Sequence, residues 1–253
     1  MKLLIDAGNT FIKWALVSGD DRLHSGILPI EQAGELPGLF SSRCGKPKTY
    51  FKDIKQIWVS NVAGEEIAQQ IRNIKFVQSN QIYFIVAQKK MCGVYNDYFK
   101  PEQLGSDRWA SLIAAWHQVH GKCLVVNSGT ATTIDTLSGQ GEFLGGLIVP
   151  GVELMQHSLL SATKQLKSGM TKQEPGEYVQ HPKSTADALF SGAVQATCGA
   201  IERQYALLQD NAATVVLSGG AAVVLQKSLN LPMNVVDNLV LQGLLLIAQE
   251  AGS

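Results

Sequence analysis

The stretch Leu3-Leu4-Ile5-Asp6-Ala7-Gly8-Asn9-Thr10-Phe11-Ile12-Lys13-Trp14-Ala15-Leu16-Val17 decides how the rest of the chain is read. Two apolar runs, 3–5 and 12–17, flank five residues of turn chemistry, so the pattern predicts two strands joined by a tight turn. A glycine-bearing turn exposes backbone N–H groups that can cradle phosphate oxygens. An acidic residue at the strand end, Asp6, can hold Mg²⁺ against those phosphates, usually through water. Asn9 and Thr10 add amide and hydroxyl groups. Aspartate, glycine and asparagine are equally the residues of an ordinary hairpin, and the stretch alone leaves both readings open.

The pattern returns in the second half. Cys123-Leu124-Val125-Val126 is a buried-strand run, followed by the turn Asn127-Ser128-Gly129-Thr130 and a second strand ending near Leu137. Ile5-Asp6-Ala7-Gly8 aligns with Val126-Asn127-Ser128-Gly129, and Ser18-Gly19 with Ser138-Gly139. The interval, roughly half the chain, is far longer than a solenoid repeat. Gly129-Thr130-Ala131-Thr132-Thr133 would offer hydroxyls and amides to a polyphosphate, although Thr132 and Thr133 also suit a plain strand. A third glycine site, Ser218-Gly219-Gly220, follows a strand over 214–217. It would let an adenosine approach the backbone closely, or simply turn the chain into a helix.

Between these sites the spacing predicts strands over 57–59 and 82–86 around a helix over 65–71. An amphipathic helix over 108–119 is expected to end at Gly121. Longer helices are expected over 152–166 and 185–208, with helices closing the chain. The segments 31–48 and 168–184, rich in proline and glycine, read as surface loops. No linker-like segment separates the halves.

The 253 residues are 45% hydrophobic and 17% charged, which fits a folded protein able to bury its own core. The formal net charge is zero, without the basic excess of a protein held by nucleic-acid phosphates. Cys44, Cys92, Cys123 and Cys198 are scattered, with no Cys-x-x-Cys pair and no zinc-ligand spacing to histidine. They read as reduced thiols. The apolar run after Met1 is too short for a signal peptide, and 239–248 is too short to cross a bilayer. A cytoplasmic protein, not tied to a membrane, is expected.

In order along the chain, Asp6-Ala7-Gly8-Asn9-Thr10, Gly129-Thr130-Ala131 and the late Gly219-Gly220 are similar to the phosphate and adenosine motifs of the actin, Hsp70 and sugar-kinase superfamily. More narrowly, the chain resembles the type III pantothenate kinases. Besides those turns, Gly93 to Tyr98, Leu104-Gly105-Ser106-Asp107-Arg108, Gly129 to Thr133 and Gly145 to Gly151 carry the likeness. It covers essentially the whole chain. It implies an α/β fold of two duplicated RNase H-like (actin-like ATPase) domains, each a mixed sheet flanked by helices, here residues 1–120 and 121–253. The implied activity is ATP-dependent phosphorylation of pantothenate to 4′-phosphopantothenate, the first step of coenzyme A biosynthesis. Mg²⁺ and a homodimer with the active site near its interface go with it.

The resemblance also implies roles. Asp107 matches the catalytic aspartate, a base for the acceptor hydroxyl. Tyr98, Gly105, Ser106, Asp107, Arg108 and Thr185 match substrate-binding positions, and the Arg108 guanidinium suits a carboxylate. Asp6, Ala7, Gly8, Asn9, Thr10, Phe11, Ile12, Lys13, Gly129 and Thr130 match nucleotide-binding positions. Read without the family, Asp107 and Thr185 are each candidate helix N-caps, and Tyr98 a loop aromatic packed on the core. Asn127 departs from the family, many members of which carry an aspartate there that is associated with potassium or ammonium. Asparagine keeps a carbonyl oxygen and loses the charge. Two other readings share the fold: a kinase for a different alcohol acceptor, and a regulatory or accessory protein.

Overall fold

The computed structural model describes residues 1–40, 54–74, 81–163 and 176–252. Contacts divide the chain into two compact units, Met1–His117 with Leu239–Ser253, and Gln118–Asn238.

In the first unit β1 (Lys2–Ala7), β2 (Phe11–Ser18), β3 (Asp21–Pro29), β4 (Gln56–Asn61) and β5 (Ile82–Phe84) form a sheet in the order β3-β2-β1-β4-β5. The β1–β2 and β2–β3 pairs are antiparallel, whereas β1–β4 and β4–β5 are parallel. β1 lies at the centre. Leu3, Leu4 and Ile5 are all buried, which is why the run is continuous instead of alternating. Leu3, Ile5, Ile12, Leu16, Ile57 and Ile71 belong to one core cluster.

α1 (Leu36–Phe40), α2 (Glu65–Arg72), the hairpin β6 (Lys90–Met91)–β7 (Val94–Asn96) and α3 (Ser106–Val119) complete the first pass through this unit. The C-terminal helix α7 (Leu239–Glu250) then returns to it. The sequence reading had assigned 239–253 to the second half. Leu239, Val240, Leu241, Leu244 and Ile247 are buried, and a helix apolar on so many sides must be covered on more than one face. It packs on β1 and β4. A Cβ on Gly243 would stand 1.9 Å from the Ala110 carbonyl oxygen of α3, so only glycine permits that approach.

In the second unit β8 (Cys123–Ser128), β9 (Ala131–Leu137), β10 (Glu142–Pro150), β11 (Thr214–Ser218) and β12 (Met233–Val235) run in the order β12-β11-β8-β9-β10. Here β8–β9 and β9–β10 are antiparallel, and β8–β11 and β11–β12 are parallel. Read from β10 inward, this is the order and sense of the first sheet, so the duplication seen in sequence is a duplication of topology. α4 (Val152–Ala162), α5 (Thr185–Leu207) and α6 (Ala222–Ser228) belong to this unit, whose core includes Leu124, Val126, Ile134, Val194, Ile201 and Val215.

Several local expectations change. His120, at φ +45°, takes the left-handed position after α3, and Gly121 does not. The expected loop over 31–48 begins as a 3-10 turn, Ile30–Glu35, and α1; Cys44 and the rest of it lie outside the described residues. α4 ends at Ala162, with Thr163 as its C-cap. Strands β3, β6, β7 and β12 had no counterpart in the sequence reading.

Candidate active site

The first unit gathers acidic groups where its sheet meets α3. Asp6 is one residue from the end of β1, opposite Lys13 on β2 and Ser60 on β4. Burial, with the Asp107 charge next, pushes its carboxyl up to about 7, and the Lys13 ammonium partly opposes the rise. Removing a carboxylate from water and facing it with a second one both penalise ionisation. Asp107 lies in the first turn of α3, and its carboxyl is likewise raised by burial, against the Arg108 N–H and guanidinium that lower it. Its Oδ1 accepts the N–H of Arg108 at 2.8 Å. The capping expectation is not met: α3 starts at Ser106, so Asp107 lies inside its first turn and does not cap it.

Two features place that carboxylate. A Cβ on Gly105 would stand 2.6 Å from Asp107 Oδ1, so the side chain occupies space that any other residue at 105 would take. Ser106 Oγ shares a buried 2.9 Å hydrogen bond with Ser60 Oγ. Ser60 therefore joins the strand beside Asp6 to the helix turn that carries Asp107. The sequence reading missed Ser60. Its signal was the first polar residue after the apolar run 57–59, a position it shares with Asp6 after 3–5.

Arg108 is buried, and its Nη1 donates to the Tyr98 hydroxyl at 2.9 Å, with the guanidinium carbon 5.7 Å from the ring centroid. Tyr98 is thus held against Arg108 and is not merely a loop aromatic on the core.

The turn after β1 is tight. Gly8 N–H donates to the Phe11 carbonyl at 3.0 Å, so it is engaged within the turn. Asn9, Thr10 and Phe11 are exposed. Ala7 and Ile12 are core residues, which leaves only their backbone for any ligand.

In the second unit Gly129 N–H makes the matching bond, to the Ala131 carbonyl at 3.0 Å. Here the turn is packed from outside. Gly151 N–H donates to the Thr130 carbonyl at 2.9 Å, and a Cβ on Gly151 would reach within 2.1 Å of the Gly129 carbonyl oxygen. Gly219, at φ +104°, would put a Cβ 2.3 Å from the Ser128 carbonyl oxygen. Ser128 Oγ and Thr132 Oγ1 share a buried bond of 2.8 Å. Asn127 is one residue from the end of β8, opposite Thr133, as Asp6 stands opposite Lys13 in the first unit. Thr185 is the first residue of α5 and exposed; the cap is Ser184, whose Oγ accepts the Asp187 N–H.

The structure thus brings Asp6 within reach of the Asp107 charge and sets Tyr98 against Arg108 in the first unit, and places Gly129 and Thr130 beside Gly151 in the second. Among the described residues no group of three His, Cys, Asp or Glu side chains is placed to hold a metal ion. Nor, among the described residues, is any helix long and apolar enough to cross a membrane.

A β3-β2-β1-β4-β5 sheet built twice, with glycine turns after both central strands, defines the class of the actin-like ATPases and sugar kinases. Solved structures share the fold. A protein described as a 2-dehydro-3-deoxygalactonokinase of Sinorhizobium meliloti superposes with a TM-score of 0.63 at 15% identity, covering 99% of this chain and 96% of its own. MreB 5 of Spiroplasma citri, bound to AMPPNP, gives 0.52 at 11% identity over 96% and 94%. Within that class the chain belongs to the type III pantothenate kinase family, whose model matches residues 2–207. The type III pantothenate kinase of Nitrosospira multiformis is 43% identical over 254 residues, 98% of this chain and 91% of its own length.

Proposed function

We propose that the protein transfers the γ-phosphoryl group of ATP to the terminal hydroxyl of pantothenate, giving 4′-phosphopantothenate and ADP at the start of coenzyme A synthesis. Family membership supports the substrate pair. One observation carries the chemistry: Asp107 is a carboxylate of raised proton affinity, held over Gly105 and next to Arg108. Asp107 takes the hydroxyl proton as the oxygen–phosphorus bond forms and the bond to the β,γ-bridging oxygen breaks. Phosphoryl transfer needs mainly such positioning and charge stabilisation. Arg108, with Tyr98 and Gly105 beside it, receives the pantothenate carboxylate, Ser106 adds an acceptor contact, and Thr185 is assigned one across the dimer interface.

The turn 6–13 of the first unit and Gly129-Thr130 of the second are each assigned nucleotide contacts. The charge of Asp6 beside Asp107 fits a divalent cation, and Asp6 would hold Mg²⁺ through water. When bound, Mg²⁺ neutralises charge on the phosphates. Asn127 offers an amide oxygen without charge, so potassium or ammonium is assigned a small effect.

Exposed apolar side chains on β10 and α4, Leu144, Ile148, Leu154 and Leu159, support a homodimer. Free thiols at Cys92, Cys123 and Cys198 support a reducing, cytoplasmic setting. A coupled assay with ATP and pantothenate, run with and without potassium and ammonium, tests the reading. Pantothenate-dependent ADP release is expected under each condition. A folded chain that forms no phosphopantothenate under any of them ends it.

A further inference from the structure

Asn96, at the end of β7, is fully buried. A buried amide is costly unless both of its ends are hydrogen-bonded, and here both are. Nδ2 donates to the Pro101 carbonyl at 3.0 Å, and Oδ1 accepts the Tyr98 N–H at 3.1 Å. The backbone N–H of Asn96 donates to the Lys89 carbonyl at 2.9 Å, which fixes the residue to the preceding hairpin. One side chain thus spans the loop 97–101 from within. The loop has little apolar anchoring of its own, since Asp97, Phe99 and Lys100 are all exposed. What it delivers is Tyr98, whose hydroxyl and ring both meet Arg108.

We propose that Asn96 is a positioning residue for the acceptor. By tying the Tyr98 N–H to the Pro101 carbonyl, it sets Tyr98 against Arg108, and through that pair it sets affinity for the acceptor's carboxylate without touching it. The proposal rests on the reading of Arg108 and Tyr98 as the acceptor clamp. It distinguishes Asn96 from a residue that only holds the fold, because the loop it spans ends on one ligand-facing pair.

The test is steady-state kinetics of Asn96→Ala with each substrate varied in turn. The KM for pantothenate is expected to rise about tenfold, as loss of a buried two-ended bond allows, while kcat and the KM for ATP stay within about twofold. A purely structural role would lower the active fraction and leave both KM values alone. Asn96→Asp supplies a second readout at nearly constant size. Protonated, it donates to the Pro101 carbonyl and accepts from Tyr98; ionised, it loses the donor and sets a charge against that carbonyl. Its KM for pantothenate should therefore climb between about pH 5 and pH 8 relative to the unsubstituted enzyme. This variant carries the test if the alanine variant does not fold.

In a Tyr98→Ala background, adding Asn96→Ala should leave the KM for pantothenate unchanged, because the two act in series. A further rise there, an unchanged KM in both single Asn96 variants, or an equal rise for both substrates overturns the proposal. Unsubstituted protein that turns over no pantothenate would instead fail the functional reading on which it rests.

Discussion

The two units solve one backbone problem with opposite side-chain chemistry. Each has a central strand, a glycine turn and an antiparallel return, and in each the turn glycine donates to a carbonyl across the turn, at Phe11 or Ala131. One residue before its end the first strand carries Asp6 facing Lys13, whereas the second carries Asn127 facing Thr133. The first turn carries exposed residues at 9–11. The second is gripped from outside by Gly151 and Gly219. Duplication therefore preserved the frame and divided the work: charge and proton affinity in one unit, a rigid uncharged turn in the other. The difference lies in side chains and contacts, because strand order and sense are the same.

The largest break in this asymmetry is expected from Asp107→Asn. Loss of the base should lower kcat by about 10³, within the range usual for general acid–base groups, or about 4 kcal/mol of barrier. The melting temperature should not fall, because a carboxylate whose ionisation is penalised by burial is being removed. A folded variant with near-normal kcat would take Asp107 out of the catalytic role.

Next come the turns themselves. Gly219→Ala must fit a Cβ 2.3 Å from a backbone oxygen at φ +104°, and is expected to cost about 2–4 kcal/mol of stability. Gly8→Ala meets nothing nearer than the Phe11 carbonyl oxygen at 3.3 Å and should cost about 1 kcal/mol or less. Urea unfolding of both variants measures the contrast. Equal losses would mean that the second turn is no more tightly held than the first.

Much of this division was legible in the chain itself. Buried central strands announce themselves as unbroken apolar runs, so 3–5 and 123–126 could be placed and aligned with each other. The mixed-sheet fold and the kinase family followed from the ordered motifs. What could not be read were features that arise only when distant segments meet. β3 carries exposed residues at most positions, and β6, β7 and β12 are two or three residues long, too short to show a period. Gly151 looks like part of a strand-end motif until its neighbour is seen to be the carbonyl of Gly129. Ser60 gains meaning only through Ser106, 46 residues away. The return of α7 to the first unit likewise rests on contacts with β1 and β4, which no local pattern encodes.

Asp6→Asn sharpens the comparison with a smaller effect than Asp107→Asn or Gly219→Ala, because it gives the first strand the residue type that the second carries at the matching position. The folded carboxyl sits at about 7, above its ordinary 3.8. Between those values the native state holds more protons than the unfolded chain, so this group's stabilising contribution is complete below about pH 4 and is lost as the pH rises through 7. Asparagine has no such loss. The variant should match the unsubstituted protein near pH 4 and exceed it at pH 8 by about 1–2 kcal/mol, less than the full shift implies because the residue borders solvent. Chemical denaturation at the two pH values reads the difference. A gap that is the same at both, or a variant less stable at pH 8, would mean that Lys13 already neutralises Asp6, and that the two strand ends differ in residue type but not in electrostatic cost.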